Sequence, residues 1–556
     1  GEAFAPRDSA VRGQLLWQPD SATKVLFLTH YARQSGIASN WEAIPTTQIP
    51  GAATCPGRNG PPDASARAGC RAGYPAGGFV QPPRDDFTVS VNFLQPMDND
   101  FFGASTRVDH EFSFATLTSI TAYENFSFFR NWDEDGTVIQ ALNIQEKIHF
   151  DQVSQELRLA GQQGRADWIV GAFYSDDSYH DLRNIYAGQL VNGLGTINYV
   201  GAPTRVAASS PHFAARQTTA NNLLSNLTQD TDSAALYTDD KLTLTERLKL
   251  IAGYRFSYEK RRFFGNGSVI FTDGSSEFAN QNNVGPAVGD EHIITHRSSG
   301  RLGLNFQLDA RKLLYVLLSE GFKSGGFDGG PSSNFVTTFT PYREEVVRAV
   351  EAGFKTDWST VRLNGALFYT DYDDPQAKIR NDVLAGDGVT IIPQTQLGNL
   401  DKAIVRGAEL EAMWRPMRGL TFDATSTFLR SRISANGTSA SFNGNVLPFA
   451  PKYSGTLGAQ YDWPIGAGLM AGVAIDGKYV GTHYLRPENF AIDKENYTLV
   501  NVAAHFGSDT GRWDLELYGK NIGDEQYRVN AAGGIGADVF AIGQPATWGL
   551  AARIKM

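Results

Sequence analysis

REEVVRAVEAGFKTDWSTVRLNGALFYTDYDD, residues 343–374, decides how the chain is read. In its second half Leu363, Leu367 and Tyr369 fall on one face of an extended segment, and Arg362, Asn364 and Thr370 on the other, because successive strand side chains point to opposite sides. The polar run at 357–361 is a short turn joining this segment to the one before it. The same unit recurs. In WDLELYGK, residues 513–520, Trp513, Leu515 and Leu517 oppose Asp514, Glu516 and Lys520. At the end of the chain Trp548, Leu550, Ile554 and Met556 oppose Arg553 and Lys555. A soluble sandwich could contain any one of these segments; their repetition along the whole length favours a barrel.

The connections sort by length. Nine are short: 18–23, 109–112, 161–167, 245–248, 309–312, 357–361, 416–420, 463–468 and 508–512. Nine are long: 36–102, 128–147, 176–232, 261–291, 325–343, 380–399, 433–451, 483–496 and 524–545. Short and long alternate strictly. This asymmetry belongs to outer-membrane barrels, with short periplasmic turns and long extracellular loops. The fold class expected is therefore all-β, an antiparallel transmembrane β-barrel. Eighteen connections join about nineteen strands, and bacterial single-chain barrels close with an even number. The first and last runs both descend towards the periplasm, so an odd number is expected to be missing at the front. Three more would give about 22 strands, the size of plugged transporters. Residues 1–556 are thus expected to be one barrel domain and a fragment of a longer protein.

Composition fits. The 556 residues include 57 Gly, 34 Phe, 21 Tyr and 9 Trp, against 5 Met and 2 Cys. The mean hydropathy of −0.28 resembles a soluble enzyme, but alternating strands average to the same value. No run reaches the 18 or so apolar residues of a membrane-spanning helix. A net charge of −10 without a basic stripe argues against a nucleic-acid partner. The chain opens at GEAFAPRDSA, in which no secretory signal is readable. Cys55 and Cys70 lie close together in a Gly/Pro/Ala-rich loop without His, so a disulfide is expected there rather than a metal pair.

Chemistry-bearing patterns read as architecture. SEGFKSGGF (319–327) lacks phosphate-loop spacing and reads as a strand running to the cell surface and ending at Gly325–Gly326. Glu344, Glu345, Glu351, Asp371, Asp373 and Asp374 have no accompanying nucleophile or His; they read as lumen and rim residues. His292 and His296 share a strand face about 13 Å apart, too far for one metal. Tyr123, Phe126, Phe128, Phe129, Trp132, Tyr174, Tyr254 and Phe256 read as interface girdles. No catalytic residue, metal site or cofactor is expected.

SEGFKSGGF (319–327), residues 343–374, VSQELRLAG (153–161), LVNVAAHFG (499–507), ELYGKNIGDEQY (516–527) and QPATWGLAARIKM (544–556) together resemble the TonB-dependent receptors, over nearly the whole chain. Met556 stands where that family usually ends in Phe. The resemblance implies an energy-coupled importer in the outer membrane of a Gram-negative bacterium, not an enzyme, with a scarce small-molecule ligand. A ferric siderophore is the default cargo. The implied partners are the TonB–ExbB–ExbD complex, reached through a missing N-terminal region, and outer-membrane lipid and lipopolysaccharide. The family's signal, TonB box and plug are not found in these residues. By loop position, Tyr342, Arg343, Arg380, Tyr484, Arg486 and Phe490 are candidate ligand contacts. A passive porin-like channel and a surface adhesin or structural barrel are the competing readings.

Overall fold

The computed structural model describes residues 7–37, 41–45, 96–133, 142–187, 220–271, 276–278, 287–328, 341–384, 391–533 and 537–555. Cys55 and Cys70, most of 36–102 and the centre of 176–232 lie outside them. One sheet of twenty strands dominates, and one of the twenty is a three-residue addition, Ser276–Phe278. The other nineteen form the wall. They begin with β1 (Arg7–Trp17), β2 (Thr23–Ile37), β3 (Pro96–Glu111), β4 (Thr116–Asp133), β5 (Leu142–Gln163) and β6 (Ala166–Ala187). The middle holds β7 (Ala220–Thr243), β8 (Leu248–Phe271), β9 (Ala287–Asp309), β10 (Lys312–Lys323), β11 (Glu345–Asp357) and β12 (Val361–Asp373). The wall closes its run with β13 (Lys402–Met417), β14 (Leu420–Ser434), β15 (Tyr453–Gly466), β16 (Leu469–Tyr484), β17 (Lys494–Ser508), β18 (Trp513–Lys520) and β19 (Thr547–Ile554). Each pairs antiparallel with its neighbours in chain order. Among the described residues β1 pairs only with β2, and β19 only with β18. In a bilayer those two edges need partners, since unpaired backbone in hydrocarbon costs several kcal/mol or so per group.

The alternation sets the two faces. Leu367, Leu457 and Leu550 point outward, 65%, 66% and 73% exposed, as a lipid-facing band requires. Inward-pointing residues are polar and bonded across strands: Asp239 with Arg301 at 2.6 Å, Tyr315 donating to Glu351 at 2.6 Å, and His505 with Asp462 at 2.7 Å. The apolar band ends in aromatics on both sides. At the short-turn end Trp414 stacks on Phe422 and Tyr461 on Trp463. At the long-loop end Phe102 packs on Tyr123 and Tyr453 on Tyr479. The short turns are tight, and Gly164 and Gly419 sit in them at φ +59° and +82°, conformations that favour glycine.

The predicted loop bounds need correction on one flank. Residues 128–147, 176–232 and 261–291 were expected to be loops, yet the ladders run well into them: β6 and β7 stay paired up to Tyr186 and Asn222. These strands have left the membrane, and their outer face carries polar pairs such as Ser178 with Asp230 and His180 with Asn226. Without a lipid-facing row the apolar–polar alternation vanishes from the sequence while the hydrogen-bonded ladder continues. Residues 380–399 likewise contain a hairpin, Gln376–Leu384 against Ile391–Asn399.

Candidate functional site

The external mouth is built by segments that turn inward from the wall. β10 stops at Lys323, earlier than the expected run to Gly325–Gly326. Residues 324–327 are buried and bend towards the lumen. The lumen-facing Arg261 of β8 donates to the Gly325 carbonyl at 2.9 Å. Phe327 stacks on the buried Phe263 two positions further along β8, with ring centres 5.0 Å apart. Gly326–Phe327 pairs with Pro341–Tyr342, and a side chain at Gly326 would collide with the Tyr342 ring and Arg261. That close approach, rather than phosphate binding, accounts for the glycine pair.

Tyr342 is therefore held by packing, and burial pushes its phenol pKa up. The backbone of Arg343 is clamped by Asn399, whose side-chain oxygen accepts from the Arg343 amide at 2.7 Å and whose amide donates to the Arg343 carbonyl at 3.0 Å. Gln376 ties the same carbonyl to that of Ser324. The Arg343 guanidinium remains 66% exposed and rests on Asp374 at 2.5 Å, which holds its pKa above the ordinary arginine value. Arg380 lies in the neighbouring hairpin, opposite Thr395.

Tyr484, Arg486 and Phe490 form a second group. Tyr484 ends β16, half-buried. Arg486 is 6% exposed, with a two-pronged bond to the fully buried Asp493 at 2.9 and 2.5 Å. Its guanidinium also lies 5.5 Å from the Phe490 ring and 5.9 Å from Phe540, and Arg528 covers Phe540 at 4.2 Å. Arg486 is a staple of this layer, not an open contact. The hairpin carrying Arg380 touches Pro341–Tyr342 on one side and Arg528–Gly533 on the other, so the two groups belong to one continuous rim.

Sequence reading passed over several residues of this rim. On the lumen face of β4–β6, Glu146 is 1% exposed. It meets Arg130 at 2.8 Å and Arg183 at 2.7 Å, and Arg183 meets Asp181 at 2.6 Å. Lumen-side strand parity would have found Arg130, Arg183 and Arg261; Arg528 and Phe540 come from residues 524–545, where no periodicity marks them. Among the described residues no three His, Cys, Asp or Glu converge as a metal site. The rim presents exposed charge and buried aromatic faces over a polar lumen.

The family model described as TonB dependent receptor-like, beta-barrel, matches residues 56–522. The chain belongs to the TonB-dependent receptors. These are transporters rather than enzymes, and the barrel sits in the outer membrane of Gram-negative bacteria. The receptor barrel is 26% identical over 414 residues to the pesticin receptor of Yersinia pestis, an alignment covering 74% of this chain and 52% of that protein. It is 21% identical over 318 residues to the probable TonB-dependent siderophore receptor PiuA of Acinetobacter baumannii, covering 54% and 38%. The chain spans about half the length or less of these relatives. In fold it is similar to the crystal structure of the ferric yersiniabactin uptake receptor FyuA of Yersinia pestis, with a TM-score of 0.70 at 18% identity, covering 99% of this chain and 71% of that one.

Proposed function

We propose that the receptor barrel captures a ferric siderophore at its external rim and, within the whole protein, imports it with energy delivered by the TonB–ExbB–ExbD complex. The observation that carries this reading is the inward-turned rim. Residues 324–327, Pro341–Tyr342 and the hairpin around Arg380 narrow a wide polar lumen with packed aromatic and charged groups. The relatives named for siderophores support the cargo. Of the six candidates, Arg343 is the exposed cation that an anionic iron chelate would reach in competition with Asp374, Tyr342, Arg380, Tyr484 and Phe490 are rim contacts, and Arg486 holds Phe490 in place. Cys55 and Cys70 are proposed to be bridged in an external loop; a 15-residue closure of this kind is worth about 3 kcal/mol. Thiol labelling of the unreduced, denatured protein should then be negative.

The test uses cells carrying the intact receptor and a panel of radio-iron-loaded siderophores. One chelate should bind and accumulate, and collapsing the proton-motive force should stop accumulation while binding persists. Uptake continuing at the same rate would assign the barrel to the passive porins.

A further inference from the structure

The lumen wall is charged unevenly at membrane height, well below the rim. Arg158, Gly171, Tyr237 and Arg255 are successive cross-strand partners in one row over β5, β6, β7 and β8. Their strand neighbours Leu157, Val170, Leu236 and Phe256 point outward and are exposed, so the row faces the lumen within the height of the apolar band. Other lumen arginines are neutralised where they stand: Arg107 by Asp109 at 2.7 Å, Arg301 by Asp239 at 2.6 Å and Arg261 by Glu259 at 2.8 Å. Among the described residues Arg158 and Arg255 have no carboxylate within ion-pair distance. Glu156, two residues before Arg158 on the same face, accepts from the Tyr237 hydroxyl.

Arg255 is oriented by neutral groups. Its Nε donates to the Ser257 hydroxyl at 3.1 Å, and its guanidinium lies 5.6 Å from the Phe173 ring and 5.8 Å from the Tyr237 ring. Aromatic faces attract a cation through their quadrupole and leave its charge in place. Tyr237 reaches across β6 because position 171 is glycine; a Cβ there would strike its ring. Further round the wall the bias reverses. Glu409 and Glu411 on β13 and Asp423 on β14 point into the lumen, and among the described residues none of them has a cation within ion-pair distance. An anion in the lumen is repelled by one part of the wall and drawn to the other, in a field that low-dielectric walls focus. Arg255 lies six residues below the rim's Arg261 on β8, which is about 20 Å of strand or roughly 15 Å along the barrel axis at the usual tilt.

We propose that Arg158 and Arg255, with the Phe173 and Tyr237 rings beside them, form a second station for an anionic iron chelate on its way down the lumen, so that cargo follows the β5–β8 part of the wall. Guanidinium groups bind carboxylate and similar oxyanions in two-pronged fashion, and here no protein carboxylate has to be displaced first. The station rests on the capture reading above but concerns passage after capture. Because the rim and the row are separated along the axis, binding and transport can be measured apart.

Cells carrying the intact receptor are given the panel of radio-iron chelates, with surface binding measured after the proton-motive force is collapsed and initial uptake measured while it is intact. The double variant Arg158→Gln, Arg255→Gln should bind as the parent does and accumulate anionic chelates about tenfold or more slowly, the scale of electrostatic focusing. Replacing both arginines by lysine, which keeps the charge, should restore most of that rate. Chelates of the panel without net negative charge should enter parent and variants alike. Should the double variant lack the heat-shifted gel mobility of a folded barrel, Arg255→Gln alone should give an intermediate slowing. Parent-like uptake of anionic chelates by the glutamine variants, equal slowing of charged and uncharged chelates, or no rescue by lysine would each overturn the station and leave capture at the rim standing. Loss of binding in the double variant would place capture itself at the row and overturn the two-station account. A parent that binds no chelate of the panel would remove the capture reading, and the station with it.

Discussion

The two flanks of the barrel raise their external parts in different ways. From β5 to β9 the wall itself rises: these strands have 22 to 24 residues, whereas about ten tilted residues cross a bilayer. β18 and β19, on the other flank, have eight residues each, and the chain between them turns into irregular segments and the small sheet Arg528–Gly533, Ala537–Ile542 and Trp41–Pro45. The tall flank keeps its ladder above the membrane whatever its outer face carries, and backs it with buried lumen-side groups, Glu146, Asp181, Leu227 and Phe263. The low flank loses the ladder and must replace it with buried side chains, Arg486, Asp493, Arg528 and Phe540 among them. Stability above the membrane therefore rests on a continuous ladder backed by lumen-side groups on one flank, and on buried side chains without the ladder on the other.

That contrast is broken most easily at Asp493. Asp493→Ala removes the two-pronged bond from the buried Arg486 guanidinium, a loss of up to about 3–5 kcal/mol by precedent for buried pairs. The low-flank loops should become cleavable by added protease at 25 °C or so while the wall survives. Resistance equal to the parent would mean that backbone, not side chains, holds that layer.

Within the membrane the two flanks should behave alike. Leu517→Arg on β18 and Leu236→Arg on β7 both place a charge on the lipid face and should cost up to about 2–4 kcal/mol, depending on depth. Glu516→Arg, on the lumen face, should be mild. Denaturant titrations that read the heat-shifted gel band would show this, and equal losses for Leu517 and Glu516 would mean the faces are reversed.

The sequence made the transmembrane part legible because lipid imposes it. Leu363, Leu367 and Tyr369 alternate with polar residues since one face meets hydrocarbon, and parity of loop length followed from the same constraint. Above the membrane the outer face of β6 to β8 is as polar as the inner one, so Asp176, Ser178 and Asp230 looked like loop. The rim was legible only as loop position. Tyr342 and Arg343 were picked by segment alone, and Arg486 is exposed or buried according to Asp493, seven residues on, with no pattern in that stretch to say which. The inward bend at Gly325 depends on Arg261 in a strand more than sixty residues earlier.

On the tall flank the smallest effect is expected. Arg262 meets Asp232 at 3.3 Å with both side chains substantially exposed, so Arg262→Ala should change stability by about 0.2–1 kcal/mol. A larger loss would show that the outer-face side chains matter there too, blurring the distinction between the flanks.

Both flanks presuppose one orientation, with the tall strands outside the cell and the short turns in the periplasm. In an intact receptor with Cys55 and Cys70 replaced by serine, single cysteines are placed by His180→Cys, on the exposed outer face of β6, and Glu246→Cys, in the exposed turn between β7 and β8. A membrane-impermeant maleimide applied to intact cells should label position 180 at once and position 246 only after the outer membrane is permeabilised. Labelling of position 246 in intact cells, with 180 protected, would contradict the orientation and with it the external rim.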